Sequence, residues 1–168
     1  MNSLKKDRVI TCKIHFTNNV EELWRGITAP NHLELFHPFC KKNSIISWDE
    51  SSHIDQIEYL NGLKYVRNFV SWKPYKGYEL YIGKKGGKQS YVVWDINKID
   101  EISCSLSISV YPHLLSNFPR IFSYLPYKLI INPKLYNYLF SVISGLRYYL
   151  ENNEKVSKNQ FGNHNWFS

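Results

Sequence analysis

Cysteine is scarce in this chain and badly placed for bridging. Only Cys12, Cys40 and Cys104 occur in 168 residues, far apart from one another. An odd, scattered set is no disulfide framework. It predicts a reducing, cytoplasmic setting, with Cys12 and Cys104 as small core residues in strand-like runs. Long hydrophobic runs are missing as well. No uninterrupted apolar stretch reaches about 18 residues, so no membrane-spanning helix is expected. Met1 to Arg8 is polar and charged, with no apolar segment. A secretory signal is therefore not expected there, and residues 1–8 are read as disordered. There is no repeat, no linker and no low-complexity tract. One domain over residues 9–158 is expected, with 159–168 as a tail of which part packs back, since Phe161, Trp166 and Phe167 are too apolar for a plain disordered segment. Nothing resembles a nucleophile motif. Extended basic runs are also absent despite a net charge of +7. Positive residues gather only in short clusters, at Lys5/Lys6/Arg8, Lys41/Lys42 and Lys84/Lys85/Lys88. Nucleic acid is not an expected partner, and weak contact with an anionic membrane stays open.

What the chain has in excess is aromatic surface: 13 Tyr, 9 Phe and 5 Trp, 16% of its residues. Hydrophobic residues make up 43% and charged residues 21%, enough for one well-filled core at this length. The aromatics fit either a Tyr-rich core or a cavity lining.

Hydropathy periods give the order of elements. Val9 to Phe16 alternates with period two, placing Ile10, Cys12, Ile14 and Phe16 on one face of a strand. Asn18 or Asn19 then caps a short helix carrying Val20, Leu23, Trp24 and Ile27. Pro30 opens a second short helix, Asn31 to Phe36, ended by Pro38. Strands are expected at Ser44–Trp48, Ile54–Tyr59, Leu63–Trp72, Tyr78–Gly83 and Gln89–Ile96. Asn61-Gly62 reads as a two-residue type I′ hairpin turn. The next strand alternates most cleanly, with Ile102, Cys104, Leu106, Ile108 and Val110 inward and Ser103, Ser105, Ser107 and Ser109 toward water. Short connections throughout imply an antiparallel meander. Pro112 to Ile131 is apolar, and Pro119 and Pro126 disfavour one long helix there. It reads as a lid, a membrane-touching element or a core-covering loop. Asn132-Pro133 then starts a helix to about Glu151, with Leu135, Leu139, Val142, Ile143, Leu146 and Leu150 on one face.

This order is strand, two short helices, meander and long C-terminal helix. With Pro30, His37-Pro38, Tyr59, Asn61-Gly62, Arg67, Gly77-Tyr78, Val93, Trp94 and Ile96, it resembles the SRPBCC superfamily over residues 9 to 155. That superfamily, also called START-like, includes the polyketide cyclase and lipid-transport group. The resemblance implies an α+β helix-grip fold: a curved antiparallel sheet of six to seven strands around the last helix, enclosing a cavity. It implies binding or carriage of a hydrophobic small molecule such as a lipid, isoprenoid or polyketide. The alternatives are a cyclase or dehydratase acting in the cavity and a peripheral lipid-transfer module. No family-wide catalytic residue carries over, and no cofactor is implied.

Candidate ligand-binding residues are His37, Tyr59, Tyr65, Arg67, Trp72, Tyr78, Trp94, Leu106 and Ile143. Arg67 is the most informative of them. Counting forward through a two-residue Asn61-Gly62 turn pairs Ile57 with Val66. That puts Val66, Val70 and Trp72 inside and Arg67 outside. Counting back from Cys104 and Leu106 puts Trp94, Ile96, Tyr81 and Arg67 inside. A loop or bulge must shift the register somewhere. An inward Arg67 needs a ligand anion, Glu58 or Asp95 as partner. His32, His37 and Cys40 form one H-x4-H-x2-C cluster, which falls short of a metal ligand set, so no metal is expected. Asp55, Glu58, Glu79 and Asp95 read as exposed strand residues, with acid–base chemistry as their alternative role.

Overall fold

The computed structural model describes residues 8–113 and 124–168. Strand β1 is Ile10–Phe16, followed by helices α1, Val20–Thr28, and α2, Leu33–Phe36. Six strands come next: β2 Cys40–Trp48, β3 His53–Tyr59, β4 Lys64–Lys73, β5 Gly77–Gly83, β6 Gln89–Lys98 and β7 Cys104–Tyr111. Helix α3, Asn132–Asn152, follows a π-helical turn at Tyr127–Ile131. The strands form one antiparallel sheet in the order β1-β7-β6-β5-β4-β3-β2. β2 to β7 are thus a plain meander, and β1 closes onto β7. Helices α1 and α2 carry the chain from one sheet edge to the other, and α3 packs beside both and against β1. This is the helix-grip α+β arrangement expected from the order of elements.

Local chemistry explains the boundaries. Asn19 caps α1, its Oδ1 accepting from the Glu22 N–H at 2.8 Å. Val20, Leu23 and Ile27 bury one face of that helix. Along α3, Leu135, Leu139, Val142, Ile143 and Leu146 are buried, as their spacing predicts. The start of α3 is a correction. Asn132 is no cap: its backbone is α-helical and its N–H bonds to the Tyr127 carbonyl five residues back. Pro133 lacks an N–H and its ring displaces the carbonyl four residues earlier, so the helix widens to a π turn instead of ending. Helix therefore continues upstream to residue 124. Residues 114–123 of the predicted lid segment lie outside the described residues.

Three further expectations change. The Asn61-Gly62 turn is not type I′, because only Gly62, at φ +84°, has positive φ. The Gly62 N–H bonds to the Tyr59 carbonyl at 2.9 Å and the Tyr59 N–H to the Leu63 carbonyl at 2.8 Å. The loop is thus three residues long, a turn followed by a left-handed glycine. Ile102 is 75% exposed, because β7 begins only at Cys104 after the tight Asp100–Ser103 turn. Ser105 faces outward but is buried, flanked by His15 and Asn97 on the neighbouring strands.

The extra loop residue resets the register. Ile57 pairs with Tyr65, and Asp55 with Arg67. Arg67 therefore turns inward, and Val66 does not face the core with Ile57 as the forward count required. A second irregularity lies in β4 between Phe69 and Ser71, leaving Val70 51% exposed. Tyr81 pairs with Asn68 and lies on the outer face, where its ring neighbours Tyr91 and Tyr91 neighbours Tyr111. The backward count is right about Trp94, Ile96 and Arg67 and wrong about Tyr81.

Candidate functional site

Between the concave face and α3 lies a cavity of about 100 Å³. Its wall is mostly aliphatic, with Ile57, Leu80, Val92, Ile108, Leu139 and Val142 prominent. Polar groups reach it from His37, Tyr59, Tyr65, Arg67, Ser90 and Tyr138, and Trp94 and Phe167 complete the aromatic part.

Of the residues proposed from sequence, His37, Tyr59, Tyr65, Arg67 and Trp94 line this cavity. Trp72, Tyr78, Leu106 and Ile143 do not. Tyr78, Leu106 and Ile143 are fully buried in the surrounding core. Trp72 belongs to an aromatic cluster at the other end of the concave face. It stacks on His53 at 3.9 Å between ring centres, and neighbours Trp24 at 5.4 Å, Trp48 at 5.7 Å and Tyr78 at 5.5 Å. Much of the aromatic excess thus fills an end of the sheet. Period two alone could not separate a ring facing a void from a ring facing other rings.

Asp55, placed on the surface from sequence, is instead the partner of Arg67. The Arg67 Nε donates to Asp55 Oδ1 at 2.7 Å, and Nη2 to Oδ2 at 2.5 Å. Both side chains are nearly fully buried. The Asn43 amide donates to the same carboxylate at 3.0 Å. Nη2 also donates to His32 Nε2 at 3.3 Å, while His32 Nδ1 donates to the Ala29 carbonyl at 2.6 Å. Burial alone would raise the Asp55 carboxyl. The Arg67 charge and the hydrogen bonds from Arg67 and Asn43 bring it below the ordinary carboxylate value instead. A signal for Asp55 existed: it stands two and four residues before the inward Ile57 and Tyr59. Glu58 is the surface partner of Lys41 and Lys64, not of Arg67.

A second polar chain lies beside the first. The Phe39 N–H donates to His37 Nδ1 at 3.2 Å. His37 must then carry its hydrogen on Nε2, which donates to the Tyr138 hydroxyl at 2.9 Å. The Tyr138 and Tyr59 hydroxyls are 3.2 Å apart. Burial, reinforced by the Arg67 charge, pushes His37 down to about 3, so the imidazole is neutral at ordinary pH. Burial pushes both tyrosines up, so both stay protonated.

Tyr138 and Phe167 line the cavity but were not among the candidate ligand residues, although Phe167 belongs to the tail expected to pack back. Tyr138 adjoins the apolar stripe of α3 at Leu139. Phe167 comes from the C-terminal segment, which packs back on the fold: Val156 N–H bonds to the Leu35 carbonyl at 2.9 Å, and Asn159 N–H to the Pro38 carbonyl at 3.0 Å. His32, His37 and Cys40 do not converge. Each histidine serves its own chain, and burial raises the Cys40 thiol to about 12. At the start of the last helix, Tyr127 and Ile131 pack inward while Tyr124, Leu125, Leu129 and Ile130 are exposed. Among the described residues, no helix is long and apolar enough to cross a membrane.

No family model and no curated protein matches the chain. Solved structures do. DynU16, described as a putative protein in the dynemicin biosynthetic locus, matches at a TM-score of 0.66 and 15% identity over 89% of this chain. The di-domain ARO/CYC protein BexL, from the BE-7585A biosynthetic pathway, matches at 0.64 and 9% over 86%. This chain spans only about half of those two, 49% of DynU16 and 46% of BexL. An uncharacterised protein from Bacillus thuringiensis is covered over 99% of its length, at a TM-score of 0.64 and 11% identity. At such identities the likeness concerns the fold alone, the helix grip described above.

Proposed function

We propose that this chain binds a hydrophobic small molecule between its sheet and α3, as a carrier or sensor. The supporting observation is the cavity itself: an aliphatic wall interrupted by a few convergent polar groups, the usual make-up of a small-molecule site. The biosynthetic loci named for DynU16 and BexL fit a polyketide-like ligand, and lipid or isoprenoid ligands suit the same wall. Native mass spectrometry of protein purified from its own source tests the reading. A retained adduct, released by organic extraction, is expected. Ligand-free protein that also takes up no apolar probe overturns it.

A second reading, a cyclase or dehydratase, is favoured by one observation. His37, Tyr138, Tyr59 and Arg67 bring more than one polar group to the same apolar cavity, as acid–base chemistry requires. Chemistry would appear as a change in the mass or absorbance of the bound molecule.

A further inference from the structure

Counting hydrogens at the cavity wall identifies what the ligand must bring. Four donors form the chain that starts at Phe39: its N–H, the His37 Nε2–H, and the hydroxyls of Tyr138 and Tyr59. They make three hydrogen bonds, at 3.2, 2.9 and 3.2 Å. His37 Nδ1 is already occupied, so the direction of the chain is fixed. One hydroxyl hydrogen is left over on the Tyr59–Tyr138 pair, with no protein acceptor among the described residues. Both tyrosines line the cavity. Burial holds both in the protonated form, so the spare hydrogen persists across ordinary pH.

Charge restricts the acceptor further. Arg67 is the cation facing this cavity, and Asp55 already neutralises it through two hydrogen bonds. An anionic ligand would add an uncompensated buried charge, which is costly. A neutral oxygen would not. A carbonyl oxygen gives the spare hydrogen an acceptor, whereas a hydrocarbon leaves it without one at the cost of an unmade hydrogen bond.

Resting on the binding reading above, we infer that the cavity selects a neutral, carbonyl-bearing ligand whose oxygen accepts from the Tyr59–Tyr138 hydroxyl pair. Three small probes separate the cases: cyclopentanone, its hydrocarbon isostere methylenecyclopentane, and the anion cyclobutanecarboxylate. Affinities are read from protein NMR shift titrations on the intact chain, and the carbonyl stretch of cyclopentanone from infrared spectra. Cyclopentanone should bind at least about tenfold more tightly than either competitor. Its carbonyl stretch should move to lower wavenumber on binding. In the Tyr59→Phe/Tyr138→Phe double variant, the preference over methylenecyclopentane should collapse, while the hydrocarbon binds at least as well as before. Because this readout is a ratio, a general loss of stability does not imitate it. If the double variant does not fold, the ranking and the infrared shift of the unaltered protein still decide. Equal binding of ketone and isostere, or tighter binding of the carboxylate, overturns the inference and leaves hydrophobic binding standing. Binding of none of the three overturns both.

Discussion

Arg67 shows how a single residue changes meaning with its surroundings. A buried guanidinium is tolerable only when paired and hydrogen-bonded, and Asp55, Asn43 and His32 supply that setting. His32 and His37 are both held to about 3, burial being the main cause and the Arg67 charge adding to it. Their folded values lie below the ordinary 6.5 of an exposed histidine. Below that pH the unfolded chain takes up protons that the folded protein refuses. Stability from these two groups is therefore complete above pH 6.5 and falls as pH drops toward 3. Each contributes a slope of about 1.4 kcal/mol per pH unit in that window. Urea unfolding followed from pH 6.5 to 4 should show this decline, and His37→Gln should remove about half of the slope due to the pair. An unchanged slope would mean that His37 is not held neutral.

At the scale of elements, packing contacts overrule propensity. Gly145 lies mid-way along α3, where intrinsic preference favours alanine by about 1 kcal/mol. A Cβ at that position would stand 2.1 Å from the Phe36 backbone carbonyl, at the crossing of α2 and α3. Gly145→Ala is thus expected to destabilise by about 1–3 kcal/mol in thermal or chemical unfolding, against the sign of propensity. A stabilised variant would show that the two helices separate without cost. The β3–β4 hairpin was legible as a hairpin, because Asn-Gly between two β-rich runs has few other uses. Its loop length was not legible. Two-residue and three-residue loops share the same Asn-Gly signature, and they turn opposite side chains inward. Arg67 therefore stayed ambiguous, while Asp55 across from it was read as an exposed strand residue.

In the whole molecule, the cavity is small because the chain fills part of it. About 100 Å³ is well below the roughly 300–1,000 Å³ of pockets that take drug-sized ligands. Phe167 closes one side, stacked on Tyr59 at 4.4 Å and set against Tyr138 at 4.6 Å. His164 anchors the segment by a 3.0 Å hydrogen bond to the Lys134 carbonyl. Removing the Phe167 ring should cost about 3 kcal/mol of stability and enlarge the cavity beside the tyrosines. Phe167→Ala is accordingly expected to bind the neutral fluorophore N-phenyl-1-naphthylamine several-fold more tightly than the unaltered protein. Equal binding would show that the Phe167 ring does not limit access.

By itself the sequence determined the order of elements, because each rests on a local period or a local cap. Alternation marked β1 and most of β7, a cap at Asn18 or Asn19 marked the start of α1, and the leucine stripe fixed the inner face of α3. Only the tertiary structure decided which polar groups meet. The Arg67–Asp55 pair depends on one residue of loop length, and the path from His37 through Tyr138 to Tyr59 joins residues up to 101 positions apart. Such contacts leave no periodic trace, since each partner obeys only its own element's period. The long reach from Phe167 to Tyr59 is of the same kind. It converts a container legible from its walls into a cavity whose size and hydrogen-bonding demand are set by where the chain returns.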